Sequence, residues 1–298
     1  MWKEEKKKWV KKTSYSVYVN RLNKHILPTF GSGGAPNEPQ VQEFVDDLLE
    51  EGLSIKTIRG LLLVLRMVMT FGERKGIWPH KSFSVHLPQS GQNVSQPAIL
   101  TKPQQKILQK HLEQNFSFRN LGLLICLYSG LRVGEICGLK WMDLDLASGE
   151  MHIRRTVQRI SISDNQTKEY ALSVSSPKTS SSTRDIPMAA EIAKYIRPLK
   201  KIVNDDYYVI TNDAEPLEPR YFRDYFYRMQ KSLNIGPVRF HGLRHTFATR
   251  CIESGCDYKT LSAILGHSSL STTMDIYVHP GFDQKKRCIE KMARAVSN

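Results

Sequence analysis

Two stretches near the C-terminus, HGLRHTFATR from His241 and LGHSSLSTTMDIYVHP from Leu265, gather imidazoles, a guanidinium and a phenol into one short span. The members that could do chemistry are His241, Arg244, His267 and Tyr277. A guanidinium grips an anion as a planar fork of donors, and an imidazole exchanges a proton near neutral pH. A tyrosine hydroxyl, with an ordinary pKa of about 10, becomes a nucleophile only if it loses its proton during attack or sits beside cations that favour phenolate. Each residue alone has an ordinary reading too, Tyr277 as a core aromatic and an arginine of a basic chain as a solvated charge. His241 and His245 stand at the spacing of a helical zinc pair. HGLRH, however, has Gly and Leu where a zinc protease carries its glutamate, so no metal site is expected and His245 reads as structural. Cys251 and Cys256 read as core thiols of an amphipathic helix.

The chain that must position these groups has 298 residues, of which 40% are hydrophobic, enough for one large domain or two ordinary ones. Its 43 lysines and arginines against 29 acidic residues give a net charge of +14, which points to a polyanion, nucleic acid ahead of a membrane surface. No apolar run approaches the roughly 18 residues of a membrane span. The opening MWKEEKKKWVKK has lysines without a following apolar segment, so it does not read as a secretory signal and a cytoplasmic location is expected. Five cysteines, Cys126, Cys137, Cys251, Cys256 and Cys288, lack the C-x-x-C spacing and fit reduced thiols.

Residues 1 to about 80 read as helices. The first runs from the lysine cluster through SYSVYVNRLNKHI and stops before Pro28; QVQEFVDDLLEE closes at Gly52; Ser54 caps a third with Ile55, Ile58, Leu62, Leu65 and Met69 at helical spacing. VHLPQSGQNVSQPAIL mixes Pro, Gly, Ser and Asn without periodicity, and the boundary is placed there, giving a helical domain over 1–93 and a second domain over 94–298. The second opens with a helix capped by Thr101 and a buried helix in FSFRNLGLLICLYSG. MHIRRTVQRISI and KEYALSVSS read as a hairpin joined by SDNQT, with a third strand in TRDIPM, before helices resume near Met188. The expected fold is mainly α with one small antiparallel β-sheet.

At this point five motifs stand in order: SGLRVGEICGLKW around Arg132, PKTSSSTRDIPM around Lys178, HGLRHTFATR with His241 and Arg244, LGHSS with His267, and DIYVHP with Tyr277. In this order and spacing the chain resembles the tyrosine site-specific recombinases, the family of phage and transposon integrases and Xer-type resolving enzymes. The resemblance implies an N-terminal core-binding (SAM-like) helical domain closing as a clamp on duplex DNA with an α+β catalytic domain. It implies Tyr277 as the nucleophile on a DNA phosphodiester. Arg132 and Arg244 would clamp the five-coordinate phosphorus, Lys178 would act as general acid to the 5′-oxygen, His241 as the base-side partner and His267 as a phosphate donor. Lys168, in the same hairpin region, is the competitor for the general acid. The 3′-phosphotyrosine keeps the bond energy of the cut strand, so no ATP, metal or other cofactor is required. Glu135 reads either as a support that bonds a histidine or arginine of the site or as a solvated helix charge.

Lys3, Lys6, Lys7, Lys8, Lys11 and Lys12 form a charge run, by default solvated and in this resemblance a candidate for DNA phosphates. The implied partners are double-stranded recombination sites, a homotetramer on synapsed DNA, and directionality or DNA-bending accessory proteins, in a nucleoid-associated setting. Integrases of the λ type carry an additional N-terminal domain that binds arm sites, whereas this sequence begins almost directly at the core-binding helix, which by itself does not decide whether the protein has such a domain. The leaning is toward a mobile-element integrase; the alternatives are Xer-type chromosome or plasmid dimer resolution, a type IB topoisomerase with the same chemistry, and a catalytically silent DNA-binding regulator.

Overall fold

The computed structural model describes residues 1–88, 98–161, 170–176, 183–267 and 269–277, with residues 286, 289–290 and 292–294 beyond them. The chain divides into two compact units, Met1–Val94 with Ile160–Ala171, and Ser95–Arg159 with Leu172–Asn298.

The helices of the first unit are α1 (Trp2–Trp9), α2 (Lys12–Arg21), α3 (Leu27–Phe30), α4 (Glu38–Glu50) and α5 (Ile55–Arg74), with a π turn at Leu22–Ile26 between α2 and α3. The single first helix expected from the sequence is broken at Val10, whose backbone is extended, and then continues through Pro28. A proline has no N–H for the carbonyl four residues back, and the looser winding of a π turn just ahead of it accommodates the loss. Asn37 and Gln40 close a capping box on α4, and the Ser54 hydroxyl accepts from the Thr57 N–H at the start of α5. Val41, Phe44, Val45 and Leu48 of α4 share one core with Ile58, Leu61, Leu62, Leu65 and Met69 of α5, positions three and four apart on one helix face.

In the second unit α6 (Lys102–Gln114), with a capping box between Thr101 and Gln104, leads into α7 (Phe118–Ser129). Helix α7 is apolar on nearly every face, so it becomes the central helix, packed by α6, by α9 (Ala190–Leu199) and by α11 (Phe240–Glu253). The remaining helices are α8 (Val133–Cys137), α10 (Pro219–Ser232), α12 (Tyr258–Leu265) and α13 (Leu270–Tyr277).

The β-structure differs from the hairpin expected. The run MHIRRTVQRISI is two strands in two sheets. β2 (Glu150–Ile153) pairs antiparallel with β1 (Leu144–Asp145) on one side and β5 (Arg184–Pro187) on the other, while β3 (Thr156–Ser161) pairs with β4 (Tyr170–Ser175). The break falls at Arg154 and Arg155, whose side chains are drawn to different partners: Arg154 to Asp185 and to the Arg184 carbonyl, Arg155 to the nearly buried Asp143 at 2.6 Å. In β5, Arg184 and Ile186 point inward and Asp185 and Pro187 outward, which sends a guanidinium toward the core. The apolar YYVIT stretch is mostly turn, with isolated antiparallel bridges from Tyr208 to Lys140 and Asp213; the Val209 N–H bonds the Leu139 carbonyl and the Trp141 N–H that of Tyr207.

Candidate active site

The site is built around the last turn of α12. Gly266 takes a left-handed backbone (φ 64°), which ends the helix. The Gly266 and His267 N–H groups then bond back to the Ala263 and Ser262 carbonyls. Among the described residues the next three carbonyls have no helical partner, and each is taken by an arginine from a different element. Arg184 Nε of β5 donates to Ile264 O at 2.6 Å, Arg244 Nη2 of α11 to Leu265 O at 2.7 Å, and Arg132 Nη2, from the residue capping α8, to Gly266 O at 3.0 Å. Helix C-termini carry partial negative charge and favour such cations.

Glu135 ties two of these arginines together. It is 3% exposed, and its carboxylate accepts from Arg132 Nη1 at 2.6 Å and from Arg184 Nη1 and Nη2 at 3.2 and 3.1 Å. Burial, the largest single influence, opposes ionisation, but the Arg184 and Arg132 charges outweigh it together and hold the carboxyl below its ordinary range. The Arg132 backbone N–H also donates to the Glu135 carboxylate, and the Glu135 N–H donates to the Arg132 carbonyl at 2.9 Å, which fixes the start of the short α8. Glu135 therefore bonds two arginines and no histidine among the described contacts. Arg244 is 1% exposed and spans from Leu265 O to Gly130 O at 3.0 Å. Gly130 has a left-handed backbone, and a Cβ there would meet Phe247 and Leu265, so glycine is needed for the approach.

Two imidazoles join the cluster. His241, solvent-exposed on the first turn of α11, meets the buried His245 ring edge-on at 4.7 Å. Partial desolvation first, then the His245, Arg244 and Arg132 charges, lower its pKa to about 4. His267, the residue after Gly266, has Nδ1 at 2.8 Å from Oγ1 of the fully buried Thr273 on α13. Burial and then the Arg244 and Arg132 charges bring it also to about 4. Both rings are thus neutral at pH 7. His245 is lowered by burial and by Arg244. Among the described residues no group of three or more His, Cys, Asp or Glu side chains could hold a metal ion.

The structure thus brings Arg132, Glu135, His241, Arg244 and His267 together. Tyr277 closes α13, a helix packed against α11 and α12, and its side chain lies outside the described part. Lys178 lies outside the described residues, as does Lys168. The lysine run belongs to the first unit: Lys3 and Lys6 are half-buried, and Lys7, Lys8, Lys11 and Lys12 are exposed. Two residues of the cluster escaped the sequence reading. Arg184 carried a signal, since it alternates in phase with Ile186 and an inward arginine requires a buried carboxylate. Thr273 carried none.

The phage integrase family matches residues 99–284, a span that holds the whole cluster and Tyr277. The chain belongs to the phage integrase family. This integrase-family chain is 26% identical over 274 residues to a XerC-like tyrosine recombinase of Caldanaerobacter subterraneus, covering 85% of this chain and 70% of the relative. It is 24% identical to the ICEBs1 integrase of Bacillus subtilis, covering 91% of this chain and 75% of that one. Among solved structures, the Tn1549 transposon integrase in complex with transposon right end DNA superposes with a TM-score of 0.74 at 24% identity, covering 97% of this chain and 96% of the other. That likeness extends the shared fold over nearly the entire chain. The protein is a tyrosine site-specific recombinase, which breaks and rejoins DNA strands. Among the described residues no helix is long and apolar enough to cross a membrane.

Proposed function

We propose that this recombinase integrates and excises a mobile element, with Tyr277 as nucleophile, Arg132 and Arg244 as the phosphate clamp, His241 as base-side partner, His267 as phosphate donor and Lys178 as general acid. The observation that carries the reading is the convergence of Arg132, Arg244 and His267 on the final turn of α12, with α13 leading from the same turn to Tyr277.

In the step so assigned, the Tyr277 oxygen forms a bond to phosphorus while the bond from phosphorus to the 5′-oxygen breaks. Lys178 gives that oxygen a proton and His241, neutral at pH 7, receives the phenol's. The charge that accumulates on the non-bridging oxygens meets two guanidinium forks already fixed by backbone carbonyls, so little reorganisation is needed during reaction. With the Thr273 hydroxyl as the donor to Nδ1 of His267, the ring proton lies on Nε2, the tautomer a phosphate donor needs. Attack by a 5′-hydroxyl of a second duplex reverses the chemistry and joins new partners.

The mobile-element role is favoured by the likeness to the ICEBs1 integrase and to the Tn916 transposase of Enterococcus faecalis, 31% identical over 180 residues. The 1–93 segment serves as the core-binding domain in this reading, with the lysine run on phosphates. Four copies act on two synapsed sites, since each contributes one tyrosine and four strands are exchanged. The setting is the nucleoid, with directionality or DNA-bending proteins as accessories. The test uses nicked duplexes tiled across the DNA flanking the gene, followed by denaturing electrophoresis and peptide mapping of slow-moving adducts. An adduct on Tyr277 that Tyr277→Phe abolishes, with duplex binding retained, is expected; binding without any adduct would sink the catalytic assignment.

A further inference from the structure

The corner between α11 and α12 holds two thiols that the recombination chemistry does not use. Helix α11 ends with Ser254 and a left-handed Gly255 (φ 91°). Cys256 N–H donates to the Cys251 carbonyl at 2.9 Å, and Gly255 N–H to that of Ile252 at 2.9 Å. This pair of reversed bonds is a Schellman ending, in which the side chains three residues inside the helix and just beyond the glycine normally meet. Here both are cysteines. With a backbone N···O separation of 2.9 Å between them, standard bond lengths keep their Cα atoms within about 6.8 Å, inside the span that a disulfide bridges. Both pack on the same small apolar cluster of Ala248, Leu261 and Leu265, and both are half-buried and free.

Cys126 and Cys137, by contrast, are completely enclosed by the main core. Burial first, and then mutual proximity, lifts the Cys251 thiol to about 11; burial and the Asp257 charge raise Cys256. The pair is therefore protonated at neutral pH and reacts through a small thiolate fraction.

We propose that Cys251 and Cys256 form a dithiol modification site, closed to an intrachain disulfide by exchange with a low-molecular-weight disulfide of the glutathione type. One thiolate attacks the small disulfide, forming a mixed disulfide and releasing one small thiolate. The second cysteine thiolate attacks the protein sulfur of that mixed disulfide, expelling the second small thiolate. The protein loses two electrons and two protons, and one small disulfide becomes two thiols. Closure ties the last turn of α11, which carries His241 and Arg244 at its other end, to the entry of α12.

The sequence makes the test direct, because trypsin cuts after Arg250 and Lys259 and leaves both thiols in one peptide, CIESGCDYK. Folded full-length protein carrying Cys288→Ser would be incubated with oxidised glutathione at pH 8, quenched with acid, digested without reductant and weighed by mass spectrometry. The expected product is this peptide two hydrogens lighter as the main form. Cys251→Ser and Cys256→Ser proteins, each lacking the resolving thiol, should instead hold glutathione on the cysteine that remains. If wild-type peptide carries only free thiols or stable glutathione adducts, while urea-unfolded protein closes the ring under the same conditions, the folded corner does not align the pair and the proposal fails.

Discussion

The arginine at 184 sets how firmly Glu135, and through it Arg132, is held. Its guanidinium, 7% exposed, and the Glu135 carboxylate, 3% exposed, are buried together. Removing one member of such a pair leaves the other charge uncompensated. Arg184→Ala should therefore lower stability by about 3–5 kcal/mol in urea unfolding, whereas an exposed substitution such as Lys7→Ala should change it by under about 0.5 kcal/mol. The histidines supply a pH dependence of defined sign. His241 and His267 take up protons near 6.5 in the unfolded chain but near 4 in the fold. Their contribution is thus intact above pH 6.5 and is lost as pH falls toward 4. Glu135, held ionised, adds a further loss as pH passes below the ordinary carboxylate range through its folded pKa. The urea midpoint should accordingly be lower at pH 5 than at pH 7, and no change between them would count against neutral imidazoles at these two positions.

At the scale of elements, one short helix end organises the site. The last turn of α12 satisfies two of its own carbonyls and leaves three for arginines from β5, α11 and the start of α8. Gly266 makes this possible. A side chain at its left-handed backbone costs roughly 1–2 kcal/mol, so Gly266→Ala should destabilise by about that much. It should lower covalent adduct formation by more than the unfolded fraction accounts for, since the carbonyls that fix the guanidiniums shift with the turn. Adduct yield in nicked duplexes, compared at matched folded fraction, checks this. The helices α5 and α7 were legible because periodicity, or its absence on an all-apolar helix, is a local property. The break between β2 and β3 was not, because the pull on Arg154 and Arg155 comes from Asp185 and Asp143, residues separated from them in sequence.

For the whole molecule, the excess of positive charge makes DNA affinity a counterion-release problem. With six to ten phosphate contacts, affinity for any duplex should fall about 10³–10⁵-fold between 50 and 200 mM salt, and a flat gel-shift titration would exclude that many contacts. The proposed assembly on two sites belongs at this scale as well. If the segment beyond Tyr277 links neighbouring copies, deletion after about residue 283 should weaken synapsis more than single-site binding; equal loss of both would count against it.

The sequence by itself determined the family, the order of the chemical residues and the type of most elements. Side-chain chemistry and helical period are written locally, so Arg132, His241, Arg244, His267 and Tyr277 stand out as candidates from type and context alone. Only the tertiary structure decided what holds them. Glu135 could be a solvated charge or a support until β5 brought Arg184 against it, and Thr273 is an unremarkable helix residue until its hydroxyl meets His267. Those partners are chosen by how elements pack, and a guanidinium gains its fixed orientation from carbonyls that the chain presents only after α12 has ended at Gly266.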